Sequence, residues 1–151
     1  MSKPTLRAGL VGSGFAARFH FEALQRVYGV QVEVTGVFSP NRDNRTAFAE
    51  ARGLRALDSL DELIVTADVV HVCTPPVTHE PIAIATLERG KSVIIEKPFT
   101  GYFGDGTPDF NGDTFPREQG LEGALASVRR MLEAEAAGSG RILYAENWVY
   151  A

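Results

Sequence analysis

Cysteine, methionine and tryptophan are scarce in these 151 residues, which contain one, two and one of them respectively. The single Cys73 leaves no internal disulfide to form, so a reducing compartment, the cytoplasm, is expected. With three separated histidines beside it, no group has the spacing of zinc ligands, and no metal is expected. A long apolar run is also missing. The richest N-terminal stretch, residues 6–21, is broken by three glycines, two arginines and a histidine, which argues against a signal peptide or a membrane span. Nor is there an excess of positive charge. A formal net charge of −4 argues against general affinity for nucleic acid or anionic membranes. Ser13 does not sit in the GxSxG elbow of hydrolases, and Asp105, Asp109 and Asp113 lack the alternation and closing glutamate of a calcium loop.

What is present is an alternation. Residues 6–11 form a short apolar run ending in glycines, and residues 16–28 follow as a helix, with Phe19, Leu24 and Val27 available for its buried face. Residues 30–38 alternate β-branched side chains and read as a strand. A helix over 41–51 comes next, with Ala47, Phe48 and Ala51 at helical spacing, then a weak strand over 54–57. The spacing of Ser59 and Glu62 predicts a capped brief helix. Residues 69–73 read as a strand buried on both faces, and Thr78 caps a helix running to Glu88. Residues 92–95 are another buried strand. Glycines, prolines and aspartates predict a long loop over about 101–120. A helix over 121–136 follows, with Leu121, Ala124, Leu125, Val128, Leu132 and Ala136 as its apolar stripe. Residues 141–150 read as a last strand. The class predicted is α/β: a Rossmann-type, doubly wound, mainly parallel six-stranded sheet with helices on both faces, all in one domain over 1–151.

Between the first strand and helix stands Gly12-Ser13-Gly14-Phe15-Ala16-Ala17, the pattern GxGxxA. Gly12 permits a tight reversal, Gly14 lets a pyrophosphate approach the main chain, and Ala17 keeps the helix close to the sheet. Free N–H groups at the helix start, aided by its dipole, then receive phosphate oxygens. Cofactor choice falls at the end of the second strand. An NAD site expects a carboxylate there, whereas this chain offers Ser39, Asn41 and Arg42, which suit a 2′-phosphate. NADP is therefore preferred over NAD. The plainer alternative makes Ser39 a helix cap and Arg42 a solvated surface charge.

Two further segments end neighbouring strands: His71-Val72-Cys73-Thr74-Pro75-Pro76-Val77-Thr78-His79 and Ile95-Glu96-Lys97-Pro98. Together with GxGxxA and His20 they resemble the N-terminal domain of the glucose–fructose oxidoreductase / inositol dehydrogenase / rhizopine-catabolism family (Gfo/Idh/MocA), in good register over residues 6–98. The resemblance implies that Lys97 contacts the substrate hydroxyl and nicotinamide and assists proton transfer during hydride transfer. A lysine suits this, since burial in a closed site disfavours its charged form. It implies that Glu96 holds Lys97 or a cofactor ribose and that Pro98 fixes the turn, a cis bond being one way. It also implies cofactor contacts from Cys73, Thr74, Pro75 and His79, packing at the helix start being the rival role for His79. A sugar-binding domain, carrying an Asp and a His for the acid–base step, usually follows and is expected outside this chain. The expected partner is a sugar- or polyol-type small molecule, with homo-oligomers formed through that second domain. His20 and His71 have no visible partner and are assigned to packing. Asn147, Trp148 and Tyr150 are expected to face the missing domain. Two other functions stay open: a non-catalytic nucleotide sensor, and, on the first turn alone, a methyltransferase using S-adenosylmethionine.

Overall fold

The computed structural model describes residues 3–146. Five strands, all parallel, form one sheet in the order β2-β1-β3-β4-β5. They are β1 (Thr5–Val11), β2 (Gln31–Phe38), β3 (Val69–Val72), β4 (Ser92–Glu96) and β5 (Ile142–Ala145). The helices between them are α1 (Phe15–Leu24), α2 (Arg42–Glu50), α3 (Leu60–Thr66), α4 (His79–Glu88) and α5 (Arg117–Ala137).

Side chains alternate across a strand, so the two sheet faces collect separate cores. Ala8 and Leu10 pack with Ala17 and Leu24 of α1 and Phe48 and Ala49 of α2. On the other face Val70, Val72, Val93 and Ile95 pack with Leu63 and Ile64 of α3, Ala83 and Leu87 of α4, and Met131 of α5. The chain moves outward from β1 to β2, then returns to the other side of β1 for β3. Right-handed crossovers in the two directions place their helices on opposite faces. Val11 pairs with both Phe38 and Val72, and Val72 with Ile95. That register sets Gly12, Ser39, Cys73 and Glu96 along one edge, where the strand order reverses and ligands of such sheets lie.

Several expectations need correction. Among the described residues the sheet has five strands: residues 54–57 contribute only an isolated bridge, Ala56 to Val37. Helix α1 stops at Leu24, with Phe19 62% exposed and Val27 45% exposed, so its buried face is Ala17 and Leu24. In α2 the buried positions are Arg45, Phe48 and Ala49. The side chain of Thr78 does not cap α4; its hydroxyl lies 2.7 Å from that of Thr74 and 2.8 Å from the Pro75 carbonyl. Helix α5 begins at Arg117 and is rotated from its expected stripe. It buries Ser127 and Met131 and exposes Leu121, Leu125 and Leu132, because it packs beside α4, where Arg130 pairs with Glu80. The glycine-rich segment carries a small aromatic cluster of its own. Tyr102, Phe110 and Phe115 have ring centroids 4.9–5.5 Å apart, and Tyr102 lies against Gly123 of α5. The last strand is described to Ala145, and Asn147, Trp148 and Tyr150 lie outside the described residues. Among the described residues no helix is long and apolar enough to cross a membrane.

Candidate dinucleotide site

Gly12 donates its N–H to the Phe38 carbonyl at 2.8 Å and has φ +108°. A Cβ at this position would meet the Cys73 carbonyl oxygen at 2.6 Å, so the turn is closed to any larger residue. Gly14 is the opposite case: a Cβ there would meet nothing within 4 Å. It is the N-cap of α1, no side chain caps the first turn, and no acidic residue stands in it. The N–H groups of that turn receive no side-chain cap and have the positive end of the helix dipole behind them, which fits a phosphate group. Phe15 is 74% exposed and leans on Phe19, with centroids 4.7 Å apart, while Ser13 and Ala16 are half-buried.

At the end of β2, Ser39 is buried and Asn41 serves as the helix cap, its Oδ1 accepting from the Asn44 N–H at 2.9 Å. Arg42, the first residue of α2, is exposed. Sequence reasoning missed Arg45. It is buried, donates from Nη1 to the Ser39 carbonyl at 2.9 Å and from Nη2 to Asp58 at 2.7 Å, and so holds the Ser39 turn. Its only sequence signal is a position one turn into the helix, at i+4 from the cap.

At the end of β3, Cys73 belongs to the core beneath α1 and α2. Burial, with the Glu96 charge second, pushes its thiol above its ordinary range, so it is no nucleophile. Thr74 is half-buried and Pro75 exposed at the same edge. His79 is fully buried. Its Nε2 lies 2.9 Å from the Thr74 carbonyl, and its Nδ1 lies 3.1 Å from the Pro98 carbonyl and 3.3 Å from that of Phe99. The fully buried ring is packed between the turn after β3 and the turn after β4, which is the packing role weighed for His79 against a cofactor contact.

That second turn carries Glu96 and Lys97. The Glu96 Oε2 accepts the Lys97 main-chain N–H at 3.0 Å, and the Lys97–Pro98 bond is cis. Lys97 is exposed. The assignment of His20 and His71 to unpartnered packing is overturned. His20 Nε2 lies 3.0 Å from Glu96 Oε1, and His20 Nδ1 lies 2.8 Å from His71 Nδ1. A single sequence shows no such pairing, because the three residues come from three elements 25 or more positions apart. Phe15, Ala16, His20, Glu96 and Lys97 open on one groove of about 1030 Å³ that runs along the α1 face of the sheet. Gly12, Ser13, Gly14, Ser39, Arg42, Thr74 and Pro75 lie outside this groove.

A parallel sheet with a glycine turn, an uncapped helix start and a lysine at a neighbouring strand end defines a dinucleotide-binding domain of the Rossmann type. Comparison with known proteins narrows the class. Residues 6–107 match the oxidoreductase family with NAD-binding Rossmann fold, GFO_IDH_MocA, and the chain belongs to that family as its N-terminal, NAD-binding domain. The chain is 34% identical over 95 residues to UDP-N-acetylglucosamine 3-dehydrogenase of Acidithiobacillus ferrooxidans, which covers 63% of this chain and 29% of that protein. It is 38% identical over 96 residues to inositol 2-dehydrogenase of Cereibacter sphaeroides, covering 62% and 28%. Its fold matches the crystal structure of GenD2 from gentamicin A biosynthesis in complex with NAD. There the TM-score is 0.78 at 25% identity, covering 100% of this chain and 37% of that one. The chain therefore spans less than a third of the length of the curated relatives cited. None of these matches supports the methyltransferase alternative.

Proposed function

We propose that this domain binds NADP or NAD, with NADP preferred, and serves an oxidoreductase that moves hydride between the nicotinamide and a sugar, polyol or related hydroxyl compound. The observation that carries the reading is the shared groove. Phe15 and Ala16 at the start of α1 and Lys97 at the end of β4 line the same groove, and the Gly14 turn next to Phe15 is open. Gly12, Ser13, Gly14, Phe15 and Ala16 would hold the diphosphate, and Thr74 and Pro75 the adenosine side. Arg42, exposed beside the Ser39 turn, would receive a 2′-phosphate, since residues 38–42 contain no carboxylate, the nearest in sequence being Asp43 in the first turn of α2. The nicotinamide supplies the hydride acceptor or donor. Lys97, the catalytic residue of this reading, would hold the substrate hydroxyl and take or return its proton.

The sugar and inositol dehydrogenases among the relatives support the substrate class. The remaining acid–base groups, and contacts between subunits, would come from a substrate domain outside these residues, in a cytoplasmic enzyme. The test is a titration of the 151-residue chain with NADPH, NADH and S-adenosylmethionine, followed by nicotinamide fluorescence and thermal shift. NADPH should bind more tightly than NADH, and S-adenosylmethionine should not bind. Arg42→Ala should weaken NADPH by about tenfold, the loss of one charge-assisted contact, and leave NADH within about twofold. Equal losses for the two cofactors would refute the phosphate role of Arg42, and no binding of either would refute the reading.

A further inference from the structure

Behind Lys97 lies a cluster that hydride transfer does not account for. His20 comes from α1, His71 from β3 and Glu96 from the end of β4. The imidazoles meet edge to face, centroids 5.1 Å apart, with their Nδ1 atoms 2.8 Å from each other. His20 Nε2 and the Lys97 main-chain N–H each lie 3.0 Å from a different oxygen of Glu96. His71 is 5% exposed, and its Nε2 is buried with no partner among the described residues.

Hydrogen-bond chemistry selects the protons. A carboxylate oxygen only accepts, so His20 carries hydrogen on Nε2. The contact between the two Nδ1 atoms needs one donor and one acceptor. If His20 donated there as well, His71 would accept at Nδ1 and bury an N–H at Nε2 with nothing to receive it, a costly orphan. The alternative leaves a bare lone pair at the His71 Nε2. A buried N–H without an acceptor costs more than a buried bare lone pair, and this selects the second arrangement; burial holds the His71 imidazole down to about 3, so its ring is neutral and carries one hydrogen in either case. The bonds then run one way: His71 Nδ1–H to His20 Nδ1, His20 Nε2–H to Glu96 Oε1, and the Lys97 N–H to Glu96 Oε2.

We propose that His71, His20 and Glu96 form a directional hydrogen-bonded brace that fixes the main chain of Lys97, with His20 and His71 acting as positioning residues for that lysine. The brace links the helix whose start faces the diphosphate to the strand end that presents Lys97, so the two halves of the groove hold one geometry. The role assigned to Lys97 rests on the oxidoreductase reading given above, whereas the tautomers do not depend on it.

Imidazole ¹⁵N NMR of the full 151-residue chain tests the tautomers directly. At neutral pH His20 should be the Nε2–H form and His71 the Nδ1–H form, which packing alone would not dictate. Amide hydrogen exchange then reads the target. His20→Leu and His71→Leu should speed exchange of the Lys97 N–H by about tenfold, as local opening becomes easier. His20→Gln places an amide nitrogen near the Nε2 position, and His71→Asn places one near Nδ1. Each should restore protection to within about threefold of the parent, and both serve if the leucine variants fail to fold. A His71 protonated at Nε2, or unchanged Lys97 exchange in a folded His20→Leu, overturns the brace. A correct tautomer pattern in a chain that binds neither NADPH nor NADH leaves the brace standing and overturns the oxidoreductase reading instead.

Discussion

Two glycines two residues apart separate folding from binding. Gly12 has positive φ and a backbone oxygen where its Cβ would go, whereas Gly14 has open space around it. Gly12→Ala should therefore cost about 2–3 kcal/mol of stability, read as a lower urea midpoint. Gly14→Val should stay within about 1 kcal/mol of the parent in the same experiment. It should nevertheless lose most dinucleotide affinity, because the new side chain stands where the diphosphate must approach. Loss of stability without loss of binding at Gly14 would contradict that assignment.

Two other residues set the acid side of the stability curve. The His71 pKa falls from 6.5 to about 3 on folding, chiefly through burial, with the neighbouring His20 second. The unfolded chain binds that proton and the folded chain does not. The stability this site contributes is thus fully present above pH 6.5 and is lost as pH falls towards 3, at up to about 1.4 kcal/mol per unit. His71→Asn should flatten that limb in urea unfolding followed from pH 7 to 4. Asp68 acts lower on the scale. The Arg7 guanidinium, 2.6 Å away, holds its carboxyl at about 2, below its usual 3.8. Its contribution is present above about pH 4 and is lost as pH falls towards 2, so Asp68→Asn should change only the most acidic part of the curve.

At the scale of elements, local rules hold where a short segment decides its own structure. Ser59 accepts the Glu62 N–H at 3.1 Å and begins α3 where the capping spacing places it, although Glu62 bonds back to the N–H of Asp58, not to that of Ser59. Ser59→Ala should cost about 1 kcal/mol, measured by chemical denaturation. The rules fail where packing decides. The stripe of α5 turns away from Leu121, Leu125 and Leu132 because Ser127 and Met131 are the positions that α4 and the sheet cover. The aromatic cluster between β4 and α5 is invisible to a count of glycines and prolines, because its three rings are spread over 14 residues. Tyr102→Ala should remove one of its three rings and raise protease cleavage within residues 101–116, while dinucleotide affinity stays unchanged. Loss of affinity there would give that segment a part in binding.

For the whole molecule, the sheet edge and the groove are separate features that meet at Glu96 and Lys97. The groove continues down the α1 face past Ile94 and Val69, with exposed Phe19, Val27 and Leu143 at its walls. On the proposed reading the site residues of this chain hold the dinucleotide and include one candidate for proton transfer. The chain alone is therefore expected to bind cofactor and to show no detectable turnover with inositol or UDP-N-acetylglucosamine, monitored by nicotinamide absorbance. Turnover by these residues alone would place the full acid–base set among them.

Fold class, the order of the elements and the edge bearing the glycine turn, Thr74 and Lys97 were legible in the sequence. Each is a local matter: glycines at a strand-to-helix junction, β-branched runs between amphipathic stretches, a lysine and proline after a buried strand. What only the tertiary structure decided involves partners distant along the chain. The pairing of His20 with His71 and Glu96, the packing of His79 between two turns, the hold of Arg45 on Ser39 and the rotation of α5 all arise when separate elements pack. Periodicity states that a face is buried, but which side chain meets which across it depends on the register and crossing of elements, and these are set by the assembled core.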